Sequence, residues 1–223
     1  MELEEPGVME VDMQFGVVRG RNKDRVSAPD FEVDLGLTRS IELDLDGEFA
    51  VEGPRSGGFG LDRVSPANLW PSLKVGLLDI ADPDADFACA IGIQLGPKLP
   101  VALGSQGIGI EGLTLTGLRY HQTQLVVNLG GLLDPAPDSR TPRPSGLEGG
   151  LDLDQPLAGP WALTGELGAV RYFSPDADQL TTSAGIAWQS DNLELSIVGL
   201  RGWLSGGDRW GMLLGISPKF RLW

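Results

Sequence analysis

The stretch I-E-L-D-L-D-G-E-F-A-V-E, Ile41 to Glu52, alternates with a period of two. Its odd positions are Ile41, Leu43, Leu45, Gly47, Phe49 and Val51; its even positions are Glu42, Asp44, Asp46, Glu48, Ala50 and Glu52. A period of two puts one set on each face of a β-strand. Here the second face is almost wholly acidic, along about 35–40 Å of strand at roughly 3.3 Å per residue. A short soluble sheet has little need of so long an alternation. A transmembrane strand of about ten residues, apolar toward lipid and polar toward a wet interior, requires it. The stretch therefore predicts an all-β chain: a closed, antiparallel, up-and-down transmembrane β-barrel, with residues 1–223 forming one domain.

Composition agrees. The 223 residues are 41% hydrophobic, include 32 glycines and carry a formal net charge of −14. No apolar run approaches the roughly 18 residues of a membrane helix, and β-barrels evade that test because each strand's signal is weak. Few stretches show a helical period. The strongly negative charge argues against nucleic acid as a partner, since no broad basic patch is present to neutralise phosphates. The lone cysteine, Cys89, allows neither an internal disulfide nor a multi-cysteine metal site, and it sits at an apolar alternation position as a small hydrophobe. Met1 is followed by Glu2, Glu4 and Glu5, the wrong charge for a secretory leader. The expectation is a mature chain from which the leader has been removed.

Alternation and turn residues divide the chain into twelve strands: Val8–Val18, Phe31–Leu37, Ile41–Glu52, Asn68–Ile80, Phe87–Leu95, Gly107–Arg119, Thr123–Leu133, Gly146–Asp154, Trp161–Phe173, Leu180–Trp188, Leu193–Leu204 and Arg209–Trp223. A phase slip near Glu111-Gly112 suggests a bulge there. Between the first two strands lies a basic stretch with Arg19, Arg21, Lys23 and Arg25; Gly53–Ala67 reads as a long loop, and Asp82-Pro83-Asp84 as a turn. Connections after even strands are short, and several after odd strands are long or proline-rich, as in bacterial barrels with both termini on the periplasmic side.

The inward face collects Glu10, Asp12, Glu32, Asp34, Glu42, Asp44, Asp46, Glu48, Glu148, Asp152, Asp154, Glu166 and Glu194, against few bases: Lys74, Lys219 and Arg221. Eight of these acids, Glu10 to Glu48, fall on three neighbouring strands and form one wall. A hydrated lumen lets such a wall stay ionised and raises the local cation concentration. The plainer alternative is that the acids only wet the interior or pair with the bases. Twelve strands about 4.8 Å apart, tilted about 40°, give a backbone diameter of roughly 24 Å and a free bore of about 10 Å or less. The outward face carries almost no charge, and Trp161, Trp188, Trp203, Trp210 and Trp223 suit the aromatic girdles at the two interfaces.

Catalytic constellations are missing. His121 is the only histidine and lies in a short turn away from any serine partner, so no enzymatic activity is expected. Carboxylates near Asp44 and Asp46 suit a hard cation, but no loop has calcium-motif spacing. Neither metal nor cofactor is expected.

The closing segment D-R-W-G-M-L-L-G-I-S-P-K-F-R-L-W, Asp208–Trp223, with E-L-S-I-V-G-L, Glu194–Leu200, before it, resembles the last strands of Gram-negative outer-membrane barrels. It is most similar to the transporter-like proteins of the MetA pathway of phenol degradation. The resemblance implies a bacterial outer-membrane location, insertion by the barrel-assembly machinery with Trp223 as terminal aromatic, and passage of small solutes. Arg221 and Lys219 occupy two positions where the usual end signal is apolar, so either Pro218 brings a bulge or the signal is shifted.

The sequence thus predicts a porin-like outer-membrane channel for passive diffusion of small solutes, its acidic lumen favouring cations or neutral molecules. The alternatives are a closed structural or adhesive barrel, with the Arg19–Arg25 stretch binding lipopolysaccharide or another partner, and a soluble β-protein.

Overall fold

The computed structural model describes residues 3–20, 23–54, 64–81, 86–102, 104–174 and 176–223. They form β1 (Val8–Arg19), β2 (Lys23–Thr38), β3 (Ile41–Pro54), β4 (Val64–Ala81), β5 (Phe87–Gly96), β6 (Ile110–Tyr120), β7 (Thr123–Leu133), β8 (Ser145–Pro156), β9 (Trp161–Ser174), β10 (Gln179–Ser190), β11 (Leu193–Gly202) and β12 (Trp210–Arg221). Each strand pairs antiparallel with its sequence neighbours, and β1 pairs with both β2 and β12, closing the barrel. Closure gives every strand a neighbour on both sides, the condition for β-structure to cross lipid.

The outer face is apolar. Leu43, Leu73, Ile93, Leu129, Leu163 and Leu214 are all exposed there, together with many others. An exposed apolar surface this continuous lies far beyond what a water-soluble monomer carries. It is covered by lipid, and that excludes the soluble alternative.

Several elements differ from the sequence reading, each for a local reason. β2 begins at Lys23 rather than Phe31, because one extra residue near Ala28-Pro29 breaks the alternation. The basic stretch is therefore mostly strand: Arg19 ends β1 and Arg25 lies within β2, while Arg21 is outside the described residues. In β4 the register shifts between Gly76 and Leu78, which turns both Leu77 and Leu78 to the lipid side. The bulge expected at Glu111-Gly112 is not there; β6 keeps an unbroken register with β5 and β7. Its phase is simply the reverse of the usual one, with Leu113 and Leu115 inward and Thr114 and Thr116 outward. Leu115 is 7% exposed, against 51% for outward-facing Ile110.

Pro218 brings no bulge either. β12 keeps one register against β1, from Val8–Arg221 through Met13–Ile216, and one against β11. The apolar end signal is shifted by one residue, so Met212, Leu214, Ile216 and Phe220 face lipid. The reading of Gly53–Ala67 as a loop fails at both of its ends. Its ends belong to β3 and β4, while the remainder and the Asp82-Pro83-Asp84 turn lie outside the described residues.

One barrel end carries both chain termini and the tight turns at 39–40, 121–122 and 191–192; the other carries the longer connections 97–109, 134–144 and 203–209. These are called the terminal end and the loop end. In bacterial barrels they correspond to the periplasmic and outer sides.

Candidate functional site: the charged lumen

Strand register assembles the inward side chains into rows. One row runs Lys219–Glu10–Asp34–Asp44–Ser72, from β12 across to β4. The next runs Asp12–Glu32–Asp46–Trp70, and a third Gln14–Asp30–Glu48. Glu42 lies opposite Lys74, itself opposite Gln94. All eight acids expected on the first three strands share this wall, and Asp30 joins them. Asp30 was hidden because the sequence reading placed the start of its strand one residue later.

The wall is organised on Lys74. Its Nζ lies 2.8 Å from Asp34 Oδ1, 2.8 Å from Asp44 Oδ2, 3.0 Å from Glu32 Oε1 and 3.2 Å from Glu42 Oε1. One ammonium thus faces four carboxylates, in a quartet that is mostly withdrawn from water: Glu42 is 2% exposed and Asp44 3%. Ser72 Oγ donates to Asp44, and Gln94 Nε2 donates to Ser72 Oγ. The oxygens of Asp12, Glu32 and Asp34 lie within 4.8 Å of one another, close enough to hold a metal ion. Two of those three carboxylates already face the Lys74 ammonium.

The other bases are also engaged. Lys219 Nζ binds Glu10 at 2.8 Å and Glu4 at 2.9 Å. Arg25, read from sequence as a loop residue, points inward and bridges Glu48 at 2.7 Å and Asp208 at 2.9 Å. Arg221 sits at the terminal mouth rather than deep in the lumen, exposed and paired with Glu5 at 2.6 Å. Near the loop end Lys98 pairs with Glu111 at 2.5 Å and Asp134 at 2.8 Å. Burial disfavours the Lys98 ammonium, but these two carboxylates outweigh it and hold the group above the usual lysine range.

The opposite side of the lumen is different. Asp152, Asp154, Glu166 and Glu194 have no Lys or Arg partner among the described residues. They accept from neutral groups instead: Asn128 Nδ2 to Asp152, Gln189 Nε2 to Asp154 and Glu194, and Ser183 Oγ to Glu166. These four acids border a cavity of about 360 Å³, together with Gln14, Ser196 and the apolar Val198, Leu200 and Leu213. A second cavity of about 440 Å³, toward the terminal end, shares Gln124 and Val126 with it and reaches Asp79, Arg119 and Leu3. Glu148 stands apart near Glu111 and Lys98, with one buried oxygen lacking a hydrogen-bond partner.

Sequence reasoning also missed Trp70, which faces inward and is buried with no acceptor for its indole N–H. Its even position in the alternation of Leu69, Ser72 and Lys74 was the available signal. Of the tryptophans expected at the interfaces, Trp161 and Trp188 pair across β9 and β10 at the terminal end. Trp203 and Trp210 are exposed at the loop end, and exposed Trp223 ends the chain at the terminal mouth. His121 occupies a left-handed turn (φ 53°) and contacts Asp86 at 3.0 Å. Cys89 faces lipid between Ile80 and Leu118.

Residues 3–7 cross the terminal mouth. The Glu4 N–H donates to Glu42 Oε2 at 2.5 Å, the Gly7 N–H to the Gly36 carbonyl at 2.8 Å and the Leu222 N–H to the Gly7 carbonyl at 2.7 Å. Gly36 permits this crossing, because a Cβ there would lie 2.3 Å from the Glu5 carbonyl oxygen and 2.4 Å from that of Glu4.

No family model matches the chain, and no curated protein matches it. The narrower likeness to the MetA-pathway proteins therefore rests on the closing strands alone. Solved structures do match over nearly their whole length. The COG4313 outer membrane channel from Pseudomonas putida F1 superposes with a TM-score of 0.66 at 10% identity, over 98% of this chain and 97% of that one. The KdgM porin gives 0.60 at 11% identity, over 95% and 99%. A loop L8 deletion mutant of OmpT, an outer membrane protein of Vibrio cholerae, gives 0.51 at 8% identity, over 96% and 98%. At such identities the likeness speaks for the fold, and the fold is that of a porin-like, twelve-stranded outer-membrane barrel.

Proposed function

We propose that this barrel is a channel for passive diffusion of small solutes across the outer membrane, and that its lumen favours cations or neutral molecules. The observation that carries the reading is the division of the lumen. On β1–β4 six of the nine acids of the wall, Glu10, Glu32, Asp34, Glu42, Asp44 and Glu48, touch Lys74, Lys219 or Arg25. Across from them Asp152, Asp154, Glu166 and Glu194 border open volume with no described base. The solute path on this reading follows β7–β11, where unpaired carboxylates attract cations and repel anions. The volumes suit ions and small molecules. Trp223 and the apolar positions of β12 are, on the same reading, the signal met by the barrel-assembly machinery.

The test is conductance of the refolded protein in a planar bilayer under a salt gradient. Discrete steps with a cation-favouring reversal potential are expected. The triple variant Asp152→Asn, Glu166→Gln, Glu194→Gln should lose most of that preference while keeping its steps. An unchanged reversal potential would remove these acids from the conduction path.

A second reading, a closed structural barrel, is favoured by residues 3–7 lying across the terminal mouth. On that reading the native chain does not conduct. Gly36→Ala, which forces Glu4 and Glu5 aside, should then open it.

A further inference from the structure

The lipid-facing surface carries a feature that the lumen does not explain. Among the described strand residues, its only charged side chains are Arg19, Asp24, Arg171 and Arg201, and all lie at the loop end. A charge at the midplane of the bilayer costs about 2–4 kcal/mol, so arginines on this face belong at an interface. The terminal end has no outward-facing counterpart among the described strands. On the described strands the outward-facing positive charge therefore sits at the loop end.

Two of the arginines are placed as a pair. Arg201 is the direct cross-strand partner of Trp210, and Trp210 is the direct partner of Arg19. An outward row Arg201–Trp210–Arg19 thus spans β11, β12 and β1, with the arginine Cα atoms two strand spacings apart, about 10 Å. The Arg19 guanidinium carbon lies 6.0 Å from the centre of the Trp210 ring, and that of Arg201 lies 5.7 Å from the centre of Trp203. Trp203 is itself fixed by an Nε1–H bond to Thr182 Oγ1 at 3.0 Å. Ring contacts of this kind orient guanidinium groups without using their N–H donors. Arg19 has one long contact to Asp24, at 3.5 Å, and Arg201 has no carboxylate partner among the described residues. Below the row, toward mid-bilayer, the outward residues are Val17, Met212 and Gly199. The missing side chain at Gly199 leaves a shallow track beside Met212.

We infer that the Arg201–Trp210–Arg19 row holds a phosphate of lipopolysaccharide, with the acyl chains lying along Val17, Met212 and Gly199. Guanidinium forks match phosphate oxygens, and two of them, Arg19 over Trp210 and Arg201 over Trp203, stand on strands that flank β12 and present donors toward a single headgroup. Only a membrane component can reach a row that faces lipid just below the loops. The long connections place this end on the outer side, where the leaflet lipid bears phosphate on a sugar headgroup. The site does not require the lumen to conduct, so the bilayer recordings and the binding test fail or succeed separately.

The experiment is native mass spectrometry of the detergent-solubilised protein with bisphosphorylated lipid A, with the same lipid stripped of its phosphates, and with phosphatidylglycerol. Retention of the bisphosphorylated form should exceed that of the other two by tenfold or more. Arg19→Ala with Arg201→Ala should abolish the difference, while Arg140→Ala in the exposed loop leaves it intact. Equal retention with and without phosphates would overturn the assignment, and that comparison needs no variant. Equal retention of phosphatidylglycerol would reduce the row to a general anion contact and overturn the lipopolysaccharide assignment.

Discussion

At the scale of single residues, Lys74 has the largest predicted effect. Removing one partner of a buried ion pair leaves the other uncompensated and costs about 3–5 kcal/mol; here four carboxylates would lose their shared ammonium. Lys74→Met should therefore destabilise the folded, heat-modifiable form by an amount near the low end of that range, read as a lower urea midpoint at unchanged slope, because lumen water screens part of the repulsion. Lys74→Met combined with Asp44→Asn and Glu42→Gln should recover much of the loss. If Lys74→Met alone is neutral, the quartet is not what holds the first strands together. None of this pairing could be read from alternation. The period says that Glu32, Asp34, Glu42 and Asp44 face inward, but only the register between β2, β3 and β4 places one lysine among them.

Among the elements, most strands were legible because lipid imposes a strict rule on one face. β8 through β11 follow that rule with few departures. The first half of β2 did not, because a single extra residue changes which face each side chain takes. β6 misled for another reason: it breaks no register but puts leucine inside and threonine outside. This inversion is testable in a Cys89→Ala background by nitroxide labels read with a lipid-soluble and a water-soluble relaxant. Thr114→Cys and Thr116→Cys should respond to the lipid-soluble agent, and Leu115→Cys should not. The opposite pattern would restore the bulge at Glu111-Gly112.

For the whole molecule, the charge layout predicts a salt dependence. The Debye length falls from about 30 Å at 0.01 M to about 3 Å at 1 M. Cation preference arising from carboxylates across an open volume should be strong at the low concentration and nearly absent at the high one. A preference that survives 1 M salt would point to direct coordination of the ion rather than to the field of the wall. The closed barrel and its apolar exterior were legible from composition and alternation together. The division of the lumen into a side with bases and a side without them was not, since it depends on contacts such as Arg25 with Asp208 and Lys219 with Glu10, which join segments far apart in sequence.

Lys74 also ties the first strands to the fourth. On β1–β3 the inward acids meet one described base, Arg25, which reaches Glu48; Lys74 of β4 adds the ammonium shared by Glu32, Asp34, Glu42 and Asp44. A fragment ending before β4 would hold those four carboxylates side by side without it. At the other edge β12 brings Lys219 to Glu10. The two strands that flank the acidic sheet β1–β3 thus supply its counter-ions, and removing either leaves carboxylates uncompensated.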